Sequence, residues 1–292
     1  MPEWLRNIVK ILVFGNCWVA FGATCMYWCT CIIHQLKPQV DLSVGIFGAT
    51  LFIYNYHRLF RKTAIYAWQR SERHRWIVAN ETLLKAFAII GLTLTLIVFL
   101  PYVNVPLILK FLPFVLLTVL YVVPVWKIEG KWIRLRDLPF IKIALVAIVW
   151  SFVTVFVPFA VVDIDWIPNL SQWITFTQRF IFIFAITVPF DIRDMAHDAK
   201  HNVKTFAGFL GVNKAKQLSN LLLILVAAIC ISAYLFNFYS SGNAASMIIS
   251  SLFTSILIGK IQEDSDEWMY AGFLDGTMVD QFFWIWLLSN WS

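Results

Sequence analysis

Charge is scarce in this sequence. Only 14% of its 292 residues are Asp, Glu, Lys or Arg, against about a quarter in an ordinary soluble domain. Glycine and proline are also few, 12 and 10 residues. With the long apolar runs, this points to helices and against a β-barrel, whose strands read as alternating segments of about 10 residues. Cysteine is limited to five residues, four of them in the first apolar segment, so no disulfide framework is implied. Cys25, Cys29 and Cys31 have no His or acidic neighbour in sequence that would complete a metal site, and they read as small apolar helix residues. No cleavable leader is expected, because the first apolar segment is too long for one and lacks a convincing cleavage site.

What is abundant is apolar surface. Hydrophobic residues make up 60% of the chain, and the mean hydropathy is +0.73. A membrane-spanning helix needs about 20 mostly apolar residues. Nine segments are expected to cross: 11–33, 43–60, 82–102, 105–125, 139–161, 173–190, 218–238, 244–261 and 269–288. Basic residues concentrate in alternate connections. The second connection holds Arg58, Arg61, Lys62, Arg70, Arg73 and Arg75; the fourth holds Lys127, Lys131, Arg134 and Arg136; the sixth holds Arg193, Lys200, Lys204, Lys214 and Lys216. The first has only Lys37. The excess of Lys and Arg places the even-numbered connections and the N-terminus in the cytoplasm, and the C-terminus outside. A multi-pass protein of a cytoplasmic membrane follows, with the lipid bilayer as its surroundings and no nucleic-acid partner.

Against this apolar background one helix end stands out. The segment 191–198 reads Asp-Ile-Arg-Asp-Met-Ala-His-Asp. Asp191, Asp194 and Asp198, at i, i+3 and i+7, share one helix face. They lie where a span meets water, on the side that carries the basic loops. Hard carboxylate oxygens suit Mg²⁺, and clustered Lys and Arg suit the free oxygens of a phosphate that the metal carries. His197 and His201 flank the cluster and read as solvated loop histidines, because carboxylates favour Mg²⁺. Arg179, inside the sixth segment, requires a partner or a route to an interface. The 14 tryptophans and 26 phenylalanines read mostly as lipid-facing residues and interface anchors.

The pattern Asp191-x-x-Asp194-x-x-x-Asp198, followed by Thr205 and Gly211, resembles the second aspartate-rich motif of the UbiA superfamily of intramembrane prenyltransferases. That motif reads approximately D-x-x-D-x-x-x-D-x-x-x-G-x-x-T-x-x-x-x-x-G; Asn202 stands at its first glycine. The segment Tyr121-Val122-Val123-Pro124, with Lys127, Lys131 and Arg134, is similar to the family's Y-S-x-P segment and its basic loop. The resemblance implies an all-α fold, a single UbiA-like domain over residues 1–292. About nine helices would surround a central cavity, capped by cytoplasmic hairpins and open sideways to lipid. It also implies a Mg²⁺-dependent transferase that moves an isoprenoid chain from a prenyl diphosphate to a membrane-soluble acceptor. Asp191, Asp194 and Asp198 would ligate Mg²⁺ and serve catalysis. Asn55, Arg58, Lys131, Arg134 and Arg136 would contact the diphosphate.

The first aspartate-rich motif, N-x-x-x-D-x-x-x-D in the family, is degenerate. Asn55 is present, but Leu59 and Thr63 occupy the aspartate positions, and the next acid is Glu72. Arg58, Arg61 and Lys62 make the stretch basic instead. Three readings follow. Arg58 and His57 bind phosphate oxygens directly, as a permanently charged guanidinium can. Alternatively, Asp275 and Asp280 of the last segment supply acids, although Asp280 lies towards the far side of the membrane. In the third, the chain is a non-catalytic lipid-binding or assembly protein on the same fold. A transporter is disfavoured, since neither inverted repeats nor broken midplane helices are evident.

Overall fold

The structure is a computed structural model that describes residues 2–60, 72–128, 131–133, 135, 138, 140–163, 165–200 and 204–289; at 60, 122, 126, 128, 131, 133 and 196–200 it describes the backbone alone. The described residues form helices α1 (Glu3–Phe14), α2 (Cys17–Ile33), α3 (Val40–Phe60), α4 (Glu72–Ala79), α5 (Glu81–Phe99) and α6 (Val105–Val122). Two three-residue strands, β1 (Trp126–Ile128) and β2 (Lys131–Ile133), pair antiparallel. They are followed by α7 (Ile141–Val162), with a π-helical turn at Phe152–Phe156. The rest comprises α8 (Leu170–Lys200), α9 (Phe206–Leu210), α10 (Val212–Leu235) and α11 (Ser241–Gly259), then a π-helical turn, Met269–Leu274, leading into α12 (Asp275–Ser289).

Helices occupy all nine expected apolar segments. By length and hydropathy, five of them are able to cross a membrane alone, and the bent pair α1 and α2 makes a sixth. The remaining helices fall short for local reasons. The helix α3 ends on Tyr54-Asn55-Tyr56-His57-Arg58, which lowers its hydropathy. The apolar part of α6 is short, Val105–Tyr121, and α12 has 15 residues. A count of nine crossings therefore requires the shorter helices to be counted as well.

The helices pack as a ring. Around it α2 touches α12, α12 touches α11, α11 touches α10, α10 touches α8 and α8 touches α7, whose π turn returns to α2. The outward faces of α5, α6 and α10 expose Ile89, Ile97, Leu109, Leu116, Leu221 and Ile224, among others, a surface suited to lipid chains rather than water. Helix starts carry side-chain caps where the sequence offers them: Asn104 accepts from Leu107 N and Ser240 from Asn243 N, each satisfying an otherwise orphaned donor.

Two devices set the geometry near the charged end of the ring. The chain bends by 60° between α1 and α2, where Asn16 adopts a left-handed backbone at φ 67°, which asparagine tolerates better than most residues. Beside it, α3 and α5 touch backbone to backbone. A Cβ at Gly91 would lie 2.7 Å from the Gly48 carbonyl and 2.7 Å from Phe52 N. Small residues of this kind let membrane helices approach closely. Gly91→Val is therefore expected to force α5 from α3 and cost about 1–3 kcal/mol. Gly259→Ala, with nothing within 4 Å of the added carbon, should be nearly neutral. Thermal midpoints of the two variants in detergent, followed by tryptophan fluorescence, check the contrast.

Candidate functional site

The long helix α8 carries Asp191 and Asp194 to the charged end of the ring. Asp191 is only 2% exposed. Both carboxylates converge on Lys142, in the first turn of α7: its Nζ lies 3.0 Å from Asp191 Oδ1 and 3.5 Å from Asp194 Oδ2. Asp194 also receives the side-on fork of Arg193, with Nε at 2.8 Å from Oδ1 and Nη2 at 3.3 Å from Oδ2. The Arg193 guanidinium packs against the rings of Phe190 and Tyr270, 5.0 and 5.6 Å from their centroids. Cation–π attraction of this kind holds the fork in place.

A second layer of charge reaches across from the other side of the ring. Glu267, in the connection before the Met269–Leu274 turn, stands between two guanidiniums. Its Oε2 lies 3.5 Å from Arg193 Nη1 and 3.7 Å from Arg73 Nη1. Both contacts exceed hydrogen-bond length, so Glu267 acts as a shared counter-charge. Burial alone would raise its pKa. Arg193, Arg73 and Arg58 outweigh burial and hold the carboxyl below its ordinary range. Arg73, itself buried, donates from Nη2 to Asn16 Oδ1 at 3.0 Å. His74 is pushed down to about 4 by burial, and secondarily by Arg58, so its ring is uncharged at neutral pH.

Of the residues singled out from the sequence, Arg58 joins this cluster, interacting electrostatically with Arg73, Arg193, Glu267 and Asp194. The degenerate first motif and the intact second one thus share one charged cluster. Asn55 is fully buried, and its amide is committed elsewhere. It accepts from Asn16 Nδ2 at 2.9 Å and donates to the Gly15 and Leu51 carbonyls at 3.1 and 2.9 Å. Its link to the site runs through Asn16 to Arg73, which makes it a positioning residue. The ring of His57 faces that of Tyr121, centroids 6.5 Å apart, bringing the Tyr121–Pro124 segment against the first motif. Asp275 comes within electrostatic reach of Arg73, Arg193, Arg58 and Glu267. Asp280 instead accepts from Trp284 Nε1 at 3.0 Å, away from the cluster. The backbone of Asp198 is in α8 and that of Lys131 opens β2. Their side chains, and Arg134 and Arg136 altogether, lie outside the described residues.

Lys142, Arg73 and Glu267 take parts that sequence reasoning assigned to none of them. Their signals were faint: a lysine just inside an apolar segment, one arginine among several in a basic connection, and one acid in a connection with four. Among the described side chains the cluster balances, with Arg58, Arg73, Lys142 and Arg193 against Asp191, Asp194, Glu267 and Asp275. A crevice beside it is lined by Lys142, Asp191, Lys204 and Thr205. A larger apolar groove of about 650 Å³, lined by Phe21, Trp28, Ile32, Phe47, Leu94 and Phe282 among others, lies elsewhere on the ring and includes no member of the cluster.

Whether these residues fit Mg²⁺ depends on which half of the cluster is considered. Asp191 and Asp194 direct hard oxygens at one point, and the Lys142 ammonium marks that point as one suited to a cation. One ion fits there if Lys142 swings away. Among the described residues of the first motif, Asn55 has no free amide and Leu59 offers no oxygen, so these two do not hold a second ion. No three His, Cys, Asp or Glu among the described residues form a ready metal-binding group.

The sequence matches the UbiA prenyltransferase family over residues 67–286. The chain belongs to that family. Its fold is that of solved UbiA proteins. A UbiA homologue from Archaeoglobus fulgidus, solved with GPP and Mg²⁺, superimposes with a TM-score of 0.63 at 12% identity, covering 96% of this chain and 99% of that one. The apo UbiA homologue from Aeropyrum pernix K1 gives 0.61 at 12% identity, over 93% and 95%. A digeranylgeranylglyceryl phosphate synthase gives 0.56 at 14% identity, over the whole of both chains. No curated protein matches the sequence. Membership and fold agree with the resemblance carried by the 191–211 stretch.

Glu267 stands between buried Arg73 and half-buried Arg193; Arg193 keeps Asp194, so removing the Glu267 charge leaves Arg73 as the buried guanidinium without its counter-charge. Glu267→Gln is expected to cost about 3 kcal/mol near neutral pH. The sign with pH follows from its lowered pKa. The contribution is complete above the ordinary glutamate value and is lost as pH falls through the lower value of the folded protein. Thermal midpoints measured from neutral pH to below about 4 should fall more steeply for the wild type than for Glu267→Gln, and the two curves should converge at the acid end.

Proposed function

We propose that this protein is a prenyltransferase that moves an isoprenoid chain from a prenyl diphosphate to a lipophilic acceptor within the membrane. The observation that carries the reading is the gathering of carboxylates and cations at the charged end, with Lys142 on Asp191 and Asp194, Arg193 on Asp194, and Arg73 and Arg193 about Glu267. Carboxylates line one side and guanidiniums the other, the complementarity that a metal-bound diphosphate requires. In keeping with this, the Archaeoglobus fulgidus homologue was solved with GPP and Mg²⁺ and also with DMAPP and Mg²⁺.

On this reading Asp191, Asp194 and Asp198 hold one Mg²⁺, which when bound neutralises charge gathering on the leaving diphosphate. Arg58 and Arg73 grip phosphate oxygens in place of the family's first aspartate-rich motif. Lys142 releases the two carboxylates and turns its ammonium to the diphosphate. Lys131, Arg134 and Arg136 would add further cations to the diphosphate, as the family resemblance implies. The charged end of the ring faces the cytoplasm, where the basic connections lie. The apolar interior excludes water from the allylic cation as the carbon–oxygen bond breaks. The chain forms one UbiA-like domain throughout its length.

A second reading has an observation in its favour. The described charges already balance, four against four, and a site that needs neither metal nor diphosphate would look the same. It corresponds to a lipid-binding or assembly protein without turnover. Purified protein supplied with Mg²⁺, a panel of prenyl diphosphates and lipophilic acceptors separates the two. Transfer is expected from the wild type, falling about a hundredfold or more in Asp194→Ala. Arg58→Ala should weaken donor binding about tenfold or more, the worth of a charged hydrogen bond. Equal donor binding and consumption by wild type and Asp194→Ala would overturn the metal site, and no consumption by the wild type would leave the non-catalytic reading standing.

A further inference from the structure

Far from the charged end, the interior of the ring holds a cation that the transfer reading does not use. Arg179 is on α8, twelve residues before Asp191 and so about 18 Å along the helix. It is the largest of the fully buried side chains, at 0% exposure. Its Nη1 donates to the Met26 carbonyl at 2.7 Å and to Thr154 Oγ1 at 3.2 Å, tying α8 to α2 and to the π turn of α7. The other two nitrogens, Nε and Nη2, are buried and have no hydrogen-bond partner among the described residues. Among the described residues no carboxylate pairs with Arg179; the groups that interact with it electrostatically are Cys29, Tyr239 and His34.

The two unused nitrogens are not arbitrary ones. Nε and Nη2 form the side-on edge of the guanidinium, which binds two oxygens of one oxyanion in parallel. The same edge is in use elsewhere in this molecule, where Arg193 sets it on both oxygens of Asp194. A staple between α8, α2 and α7 requires Nη1 alone. A permanent charge inside a membrane protein is costly and finds a partner, and burying a donor without one costs about 1–3 kcal/mol. The surroundings extend the polar character. Gln178, next in sequence, is fully buried with both amide ends unpartnered. One turn earlier, Thr175 Oγ1 meets His34 Nε2 at 2.9 Å and accepts from Tyr239 OH at 3.0 Å. Around these groups the lining is apolar, with Phe182, Cys29, Met26 and Ile183 in the buried core.

We propose that the Nε/Nη2 edge of Arg179 binds the oxyanion of a membrane-soluble amphiphile, a carboxylate or phosphate carried on an apolar body, inside the ring. The site is independent of the diphosphate cluster and stands whether or not that cluster turns over. Binding shuts the open edge with two charge-assisted hydrogen bonds.

The test uses the full-length protein in neutral detergent, titrated with palmitate, its methyl ester and phosphatidic acid, with tryptophan fluorescence as the readout. The wild type is expected to bind palmitate or phosphatidic acid about tenfold or more tighter than the neutral ester. Whichever anion shows the preference identifies the head group. Arg179→Gln should erase it, and Arg179→Lys, which keeps the charge but loses the fork, should retain only part. An anion preference that persists in a folded Arg179→Gln, or a wild type that binds acid and ester alike, overturns the proposal. Should Arg179→Gln fail to fold, ¹⁵N-arginine NMR of the wild type decides. The Arg179 Nε resonance must move on adding the anion and stay fixed with the ester; if it stays fixed with both, the proposal fails. Donor turnover, governed by Asp194, is scored separately, so a failure of the transfer reading leaves this result intact.

Discussion

A single carboxylate, Glu267, lies between the guanidiniums of Arg73 and Arg193, and the organisation of the charged end depends on it. Arg73 belongs to the segment that follows the degenerate first motif, and Arg193 to the helix that carries the second. Two guanidiniums brought this close in a partly desolvated site repel strongly, since Coulomb energies grow as the local dielectric falls. Glu267 makes their approach favourable. It comes from a third part of the chain, so the site joins three separate segments. The neighbouring contacts follow from the same demand. Lys142 neutralises Asp191 and Asp194 from α7, and Asn16, held by Asn55, orients Arg73.

How much of this was legible in the sequence divides by range. Helix positions followed from apolar runs, because a segment that buries its backbone polar groups in lipid must be helical. The aspartate face of α8 followed from the 3.6-residue period, a local property. The partners of those aspartates did not. Lys142 is 49 residues from Asp191, and nothing in an apolar segment that starts Ile-Lys-Ile marks that lysine as an internal counter-ion. Glu267 lay in an acidic connection whose charges carry little weight for topology. Asn55 matched a family position, and the match was real in register. Which way its amide turned was decided by the left-handed Asn16 at the helix break, a tertiary feature without a sequence signature of its own. Membrane crossings proved harder to count than helices, because α3 and α12 mix polar site residues into their lengths.

The exchange of acids for bases at the first motif has an electrostatic consequence that accounts for where the acids are found. A carboxylate pair that holds a metal ion leaves its charge open until the ion arrives. An arginine carries its charge permanently, so a site built from Arg58 and Arg73 must be neutralised when no anionic ligand is bound. Glu267 and Asp275 are placed to do that, within electrostatic reach of Arg58, Arg73 and Arg193. Acids absent from position 59 are thus met elsewhere in the cluster, where Glu267 stands as a counter-ion between Arg73 and Arg193. Binding an anion in such a site is an exchange. The ligand's oxygens take over the guanidiniums, and the carboxylates that held them must be re-paired or moved away. Affinity then reflects the difference between two sets of ion pairs, and a modest charge on the ligand suffices only if it satisfies the guanidiniums better than Glu267 does, at contact distances beyond hydrogen-bond length.

Arg193 and Arg179 show the same side chain in two conditions on one helix. At the charged end, the side-on edge of Arg193 is matched to a carboxylate two bonds wide, and aromatic rings cover its faces. Inside the ring, Arg179 anchors three helices through one nitrogen and leaves that edge without a partner. Membrane interiors penalise unmatched charge far more than aqueous surfaces do. A purely structural link between α8 and α2 would have been served by a neutral donor such as the neighbouring glutamine. A charged fork there is costly, and an anionic partner would offset that cost.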